Sequence, residues 1–317
     1  MIFHEDFTVR TDLADEKEEF LKEREGKKLA GIAVNKKKIN GFDVSVMNVL
    51  NEEGEKISGK PVGRYVTVDV GKIWMSDKKR FSEACSVISD FIKEFIPDKK
   101  GSCMLAALGN KNIIADAIGP LTAENFIVTK HIKDSEKEIF DALNLRETLC
   151  ISPGVLGNTG IEAAKIIKGA VMQSNPSFIV AVDSLASRHL SRLATTVQIC
   201  DTGITPGSGI NNARKEISYR TVGIPVIAIG VPTVVDVTTL ASDIIRNVAK
   251  KTSDDYIKSS VRQIINEISS EEAENFFVTP KETDHIIKDT SKLIGYSLNL
   301  ALHEGISEDE IDELVGT

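Results

Sequence analysis

The spacing of hydrophobic positions changes along the chain, and its first part predicts antiparallel strands. Between residues 29 and 75, apolar and polar residues alternate in three short segments separated by Asn, Gly and Lys clusters. Alternation with a period of two is typical of antiparallel strands that have one solvated face. A helix is predicted at about 79–96, where apolar residues recur every three to four positions before Pro97.

The pattern changes at Ser102, where continuous apolar runs begin to alternate with helix-like segments. Runs of this kind are typical of buried strands in a parallel sheet, because such strands are covered on both faces. Alternation of strands with helices then predicts a doubly wound, mainly parallel sheet. The predicted strands are Cys103–Leu108, Thr148–Ile151, Phe178–Val182, Thr196–Ile199 and Pro225–Ile229.

After Asp236 the pattern is helical, with predicted helices at 237–249, 254–268, 283–304 and 307–315. The expected fold is therefore α/β: a doubly wound, mainly parallel sheet with a β-rich N-terminal layer and a helical C-terminal cover. We expect the segments 13–100, 101–236 and 237–317 to form one compact unit, with the α/β core in the second.

Two acids stand out because each directly follows an apolar run or its turn. Asp183 follows the run Phe178–Val182, and Asp116 lies among isoleucines in a turn bounded by Gly and Pro. Ligands bind at the carboxyl ends of strands in such folds. Two carboxyls held close together cannot both ionise, so one can polarise a carbonyl while the other activates water. The alternative is two unrelated strand-end acids, one of them capping a helix.

Other candidates carry weaker signals. Asp201 begins the single Asp-Thr-Gly tripeptide, which favours a tight turn but leaves it a possible third acid. The glycine-rich segments 154–160 and 207–209 could cradle an anion, although neither has the spacing of a nucleotide-binding loop. Arg188 and Arg192 lie four residues apart and could hold a carboxylate from one helical face; the alternative is two surface arginines.

Composition narrows the class of protein. The net charge of −8 argues against nucleic-acid binding, which needs a basic surface. No apolar run reaches the roughly 18 residues of a membrane span, and the N-terminus lacks the pattern of a signal peptide. The four cysteines are widely spaced, which favours reduced thiols in a cytoplasmic protein. The five histidines are scattered without a metal-binding motif, so neither metal nor cofactor is predicted.

Six segments together resemble the germination proteases of spore-forming bacteria, endopeptidases that degrade small acid-soluble spore proteins. They are RTDLA at 10–14, LGN…ADAIGP at 108–120, ISPGVLGNTGIE at 151–162, VDSLASR at 182–188, DTGITPGSG at 201–209 and GIPVIAIGVPTVVD at 223–236. The resemblance implies an atypical aspartic endopeptidase with Asp116 and Asp183 as its catalytic acids. It also implies a core similar to hydrogenase maturation endopeptidases, a homotetrameric zymogen, and a location in the cytoplasm of the forespore or spore core.

The resemblance further implies cleavage after an acidic residue and before a large apolar residue followed by Ala. Asp12-Leu13-Ala14 has this pattern, so residues 1–12 are predicted to be a propeptide cut between Asp12 and Leu13. Arg188 or Arg192 would then be candidates for the pocket that binds the acid.

The chain departs from the family pattern by small replacements near the acids, at Ala107, Ala115 and Ser184, where Gly, Pro and Ala are expected. None of these replacements removes a catalytic group. Two other functions are compatible with the same residues. One is a metal-assisted peptidase that uses Asp116 and Asp183 as ligands, and the other is a non-enzymatic sporulation protein that binds peptides in the same cleft.

Overall fold

A single mixed sheet organises the computed structural model, which describes residues 10–25, 29–208, 214–251 and 276–315. Its strands, in chain order, are β1 (Ile32–Ile39), β2 (Phe42–Val49), β3 (Gly63–Asp69), β4 (Cys103–Ala107), β5 (Thr148–Ile151), β6 (Phe178–Ser187), β7 (Thr196–Cys200), β8 (Val226–Asp236) and β9 (Phe277–Val278). The spatial order is β1-β2-β3-β7-β8-β6-β4-β5, and β9 pairs with β8.

The sheet has two halves that differ in strand direction. Strands β8, β6, β4 and β5 run parallel and form the parallel half. Strands β1, β2, β3 and β7 pair antiparallel and form the antiparallel half. The halves meet where β7 pairs antiparallel with β8. The α/β prediction is confirmed, and a parallel core is present.

The prediction of a mainly parallel sheet is wrong for the antiparallel half. The run beginning at Thr196, predicted among the parallel strands, forms β7 and opposes both of its neighbours. The connection 188–195 explains this, because a parallel return needs a crossover of about a dozen or more residues. The N-terminal strands likewise extend the same sheet and are not a separate layer.

Helices cover both faces of the sheet. They are α1 (Ala14–Glu25), α2 (Glu52–Ser58), α3 (Lys78–Phe95), α4 (Ile118–Glu124), α5 (Lys130–Ser135), α6 (Lys137–Leu143), α7 (Leu156–Thr159), α8 (Ala163–Ser174), α9 (Tyr219–Val222), α10 (Val237–Lys251), α11 (Thr283–Leu302) and α12 (Glu308–Val315). Short 3-10 turns lie at Ile73–Met75, Ile114–Asp116 and Leu190–Arg192. The helices predicted near 79–96, 237–249, 283–304 and 307–315 are present, and the segment 254–268 lies outside the described residues.

Alternate residues of the parallel strands point to opposite faces of the sheet. Cys103 and Leu105 of β4 belong to the core beneath α3, α4 and α11. Met104 and Ala106 of the same strand belong to the core beneath α8. The parallel half is therefore doubly wound, as predicted, and α4 is packed between the sheet and α11. None of the helices in the described ranges has the length and apolarity needed to cross a membrane.

Candidate functional site

Asp183 lies at a step in the sheet. The sequence predicted that its strand ends at Val182, but β6 continues to Ser187. The neighbouring β4 ends instead, with Ala107 as the partner of Val182. Beyond this point β6 is paired with β8, where Asp183 lies opposite Gly230. The step therefore opens a cleft at the carboxyl end of β4, and Asp183 lines it although only 4% of its surface is exposed.

Asp116 reaches the same cleft from the turn that follows β4. This 3-10 turn is fixed on two sides: the N–H of Asn110 donates to the carbonyl oxygen of Asp116 at 2.9 Å, and Thr233 Oγ1 donates to that of Ala115 at 2.6 Å. Gly109 permits the closure, because a Cβ there would lie 2.0 Å from the Asp116 carbonyl oxygen. The turn thus holds Asp116 beside the end of β4.

The two acids differ in how strongly their surroundings favour the protonated form. Burial raises the pKa of Asp116 to about 6, and a backbone hydrogen bond from Asn110 opposes this shift. Burial raises the pKa of Asp183 well above its ordinary value, and the negative charges of Asp116 and Asp12 raise it further. Because Asp183 is the more deeply buried of the two, it favours the protonated form more strongly than Asp116 does.

Both acids line one cavity of about 530 Å³. Two exposed cationic residues, Arg214 and Lys215, also line it, and Asp12 lies at its wall. The remaining lining comes from β6, β8 and β9 and from the segments that follow β4, β5 and β7: Leu108–Asn110, Ile113, Ala115, Gly154–Gly157, Glu162, Ala163, Ser184–Ala186, Pro206, Gly207, Thr233, Val234 and Phe277.

The segment around Asp12 is bound to the sheet at this cavity. The Asp12 N–H donates to the Ala186 carbonyl oxygen at 2.9 Å. Its carboxylate accepts from the Ala186 N–H at 2.9 Å and from Ser208 Oγ at 2.6 Å. Its carbonyl oxygen accepts from Lys60 Nζ at 2.6 Å and from Gln198 Nε2 at 3.2 Å. Every polar group of Asp12 is therefore hydrogen-bonded.

The residues on either side of Asp12 are also fixed. Leu13 and Ala14 are completely buried, and the Ala14 N–H donates to Gln198 Oε1 at 2.7 Å. Arg10 forms an ion pair with the buried Asp236 at 2.9 Å. The predicted cleavage bond, Asp12–Leu13, therefore lies in an anchored segment next to the two predicted catalytic acids.

The structure does not bring the predicted arginines into the cavity. Arg188 Nε donates to both carboxylate oxygens of Asp243, at 3.0 and 2.8 Å, and Arg192 forms an ion pair with Asp15 at 3.0 Å. Neither arginine lines the cavity that holds Asp12, Asp116 and Asp183. The acid-binding role predicted for Arg188 and Arg192 has no support in these contacts.

Asp201 does not join the acid pair. It is exposed, it follows β7, and its carboxylate accepts from the Arg64 N–H at 2.9 Å. Because β7 runs antiparallel to β8, the carboxyl end of β7 lies towards the opposite edge of the sheet from that of β6. The expectation that Asp201 lies near the same edge is therefore wrong. Within the described ranges, no group of three or more His, Cys, Asp or Glu side chains is arranged to hold a metal ion.

Sequence reasoning missed three side chains that hold Asp12. Ser208 had a signal, because the segment 207–209 was a candidate anion cradle, and its hydroxyl does bind a carboxylate. Gln198 had one too, since a polar residue inside an apolar strand needs a buried partner. Lys60 follows the helix α2, and no feature of the sequence around it predicts a contact with Asp12.

Comparison with known families identifies the chain's relatives. The family model for the germination protease matches residues 9–260 and 254–314. The chain belongs to the germination protease family. It is therefore assigned to the peptidases.

Three similar members of this family are each named "Germination protease". One from Caldanaerobacter subterraneus subsp. tengcongensis is 40% identical over 97% of this chain and 98% of its own length. One from Clostridium perfringens (strain ATCC 13124) is 38% identical over 98% of this chain and 99% of its own. One from Bacillus licheniformis is 37% identical over 96% of this chain and 95% of its own length. The similarity therefore spans the acids, the Asp12 segment and the C-terminal helices alike.

Proposed function

We propose that the chain is a self-processing endopeptidase that uses Asp116 and Asp183 as an acid pair. It cuts its own Asp12–Leu13 bond and then cuts small acid-soluble spore proteins after an acidic residue, before a large apolar residue followed by Ala. The observation that carries this proposal is the cavity itself, since Asp12, Asp116 and Asp183 all line it. The name of the related proteins supports a role in germination.

The difference in burial assigns a role to each acid. Asp116, with a pKa of about 6, is the general base that accepts a proton from water as the water oxygen attacks the Asp12 carbonyl carbon. Asp183, which is more deeply buried and has a raised pKa, is the general acid that gives its proton to the Leu13 nitrogen as the peptide bond breaks. A proton passing from Asp116 back to Asp183 restores the pair. No covalent intermediate is formed.

The finer biological setting rests on the family resemblance. Residues 1–12 form the propeptide of a zymogen, the active assembly is a homotetramer, and the protein acts in the forespore and spore core during germination. Cleavage after Asp12 would leave Leu13 as the new N-terminus.

The test is intact mass of the purified full chain over time, with wild type beside Asp116→Asn and Asp183→Asn. We expect the wild type alone to lose residues 1–12, with both variants slower by about 10²- to 10⁴-fold because each lacks an acid–base group. Asp201→Asn is the matched control and should process like wild type, since Asp201 is exposed and absent from the cavity.

Processing of both asparagine variants at the wild-type rate would contradict the acid-pair mechanism. Loss of processing in a chelator, restored by added metal, would favour the metal-assisted alternative instead. Full processing of wild type without cleavage of any spore-protein peptide would restrict the activity to self-cleavage.

A further inference from the structure

The groups that hold Asp12 form a complete binding site for one residue of a peptide chain. We call them the Asp12 seat: Lys60, Gln198, Ser208 and the N–H of Ala186. We propose that the Asp12 seat is the substrate subsite that selects an acidic residue and binds the carbonyl of the bond to be cut, both in this chain and in other peptides. The inference rests on the proposed function, because it takes Asp12–Leu13 as a bond that the acids cleave.

One half of the Asp12 seat binds the acidic side chain. The Ala186 N–H and Ser208 Oγ each donate to a different carboxylate oxygen of Asp12, at 2.9 and 2.6 Å. Hydrogen bonds to an ionised acceptor are about twice as strong as neutral ones. Ser208 can also accept a hydrogen bond, so an asparagine would fit the same space. Selection for an acid therefore depends on charge.

Two lysines next to Asp12 supply that charge. Lys60 bonds to the Asp12 carbonyl oxygen, and Lys17 lines the neighbouring pocket with it. Burial and the positive charge of Lys60 lower the pKa of Lys17 to about 8, while the negative charge of Asp12 opposes that shift. A carboxylate in the seat offsets two cations that repel each other in a partly buried site, and a neutral amide does not.

The other half of the Asp12 seat binds the carbonyl oxygen of the same residue. Lys60 Nζ and Gln198 Nε2 both donate to it, at 2.6 and 3.2 Å. When water adds to the carbonyl carbon, this oxygen gains a negative charge that two fixed donors stabilise. The water proton goes to Asp116, and the Leu13 nitrogen leaves with the proton of Asp183.

Gln198 also fixes the chain on the far side of the bond. Its Oε1 accepts from the Ala14 N–H at 2.7 Å, so a single side chain contacts the residues before and after the cleavage point. In the sheet, Gln198 pairs with Gly230 and Gly230 pairs with Asp183, which places the glutamine and the acid in one row. Two strand spacings, about 10 Å, separate their backbones. The bond is thus held on the row that also carries the acid.

The experiment measures cleavage of two synthetic peptides by the full chain after self-processing. One peptide has the sequence of residues 6–20, and the other has Asn in place of its Asp12. The enzymes compared are wild type, Ser208→Ala, Lys60→Met and Gln198→Met. The matched controls are Ser82→Ala on α3 and Lys38→Met, whose ion pair with Asp43 is exposed. Self-cleavage of each full chain is followed by intact mass in parallel.

We expect each variant to lose about 10- to 100-fold in kcat/KM on the acidic peptide, the value of one hydrogen bond to a charged group. Ser208→Ala and Lys60→Met should also reduce the preference for Asp over Asn by about 10-fold or more. Gln198→Met should lower kcat for both peptides and leave that preference unchanged, because it contacts only the backbone. Both controls should behave as wild type.

Wild-type rates and preference in all three variants would overturn the subsite while leaving the protease assignment intact. If wild type cuts neither its own chain nor the acidic peptide, the proposed function fails and the subsite fails with it. A thermal melt checks each variant for folding. Ser208 is exposed, so Ser208→Ala keeps the test decisive even if the buried Gln198→Met does not fold.

Discussion

The two halves of the sheet contribute different chemistry to the cavity. The parallel half supplies acids: Asp116 comes from the turn after β4, and Asp183 lies where β6 continues beyond β4. The antiparallel half and its connections supply donors, with Gln198 in the middle of β7 and Lys60 between α2 and β3. The Asp12 segment lies across the β7–β8 boundary and contacts both halves.

This difference follows from strand direction. Parallel strands bring their carboxyl ends, and the loops that follow them, to one edge, so reactive groups collect at that edge. Strand β7 runs in the opposite direction, so its carboxyl end lies towards the other edge of the sheet. It can add side chains from its middle, as Gln198 does in the row of Asp183. We infer that changes in the parallel half act on the acids, while those in the antiparallel half act on how the peptide is held.

The largest expected effect comes from Gly119→Ala in α4. A Cβ there would lie 2.2 Å from the Leu108 carbonyl oxygen and 2.6 Å from that of Val182, so the helix must move away from the strand ends. We expect a loss of about 3 kcal/mol or more in the free energy of unfolding, at the upper end for overpacking. Urea unfolding gives this value, and peptide cleavage at low temperature shows whether the acids remain placed.

Gly157→Ala is the matched control for that variant. Gly157 lines the same cavity, but a Cβ there has nothing within 4 Å, and the residue lies in the short helix α7. Its free energy of unfolding should stay within about 0.5 kcal/mol of wild type. Equal stability losses in both variants would mean that close packing of α4 against the strand ends is not what fixes the site.

That Asp116 and Asp183 lie at one cavity could be predicted from sequence, because their placement is mostly local. A strand, a Gly-bounded turn and an acid lie within one short stretch around Asp116, and the run ending at Val182 leads directly to Asp183. The partners of Asp12 could not be predicted in this way. Lys60, Gln198 and Ser208 lie 48, 186 and 196 positions away from it, and only the assembled sheet brings them together.

The hydrophobic pattern along the chain could not predict the direction of strand β7. All five residues of β7 are buried, although Thr196 and Gln198 are polar, and a buried run of this kind predicts a strand without its direction. The direction could instead be inferred from the connection 188–195, which is too short for a parallel crossover. The acidic partners of Arg188 and Arg192 could not be predicted for a related reason, since they come from α10 and α1.

The pH dependence of cleavage should separate the acids from the groups that hold the peptide. With Asp116 as base, the rate rises with pH through about 6, because only its carboxylate accepts the water proton. Below that value we expect a fall of about 10-fold per pH unit. At higher pH the rate falls again as Asp183, whose pKa is raised well above its ordinary value, loses its proton.

Lys60→Met sharpens that measurement, because it changes the antiparallel half alone. We expect lower rates in this variant but an acidic limb that stays at about pH 6, since burial of Asp116 sets that limb. Initial rates of peptide cleavage between about pH 5 and 8 give both profiles. Flat profiles would argue against Asp116 as the base.

The smallest effects come from a pair of buried threonines, one in each half. Thr233 Oγ1 in β8 donates to the Ala115 carbonyl oxygen in the turn that carries Asp116. Thr233→Val leaves that oxygen without this donor, so we expect a loss of about 1–2 kcal/mol in the free energy of unfolding. Because the turn is then less firmly held, peptide cleavage should fall by a few-fold, to about one third.

Thr196→Val makes the same substitution in the antiparallel half, but here we expect no loss in the free energy of unfolding. Thr196 Oγ1 in β7 is fully buried and has no hydrogen-bond partner among the described residues. Removing it takes away an unsatisfied polar atom, so the free energy of unfolding should stay level or rise by up to about 1 kcal/mol, with cleavage unchanged. Paired urea unfolding curves measure both values. Equal losses in the two variants would mean that the Thr233 hydroxyl adds nothing specific to the Asp116 turn, and the acids would then depend on the packing of α4 alone.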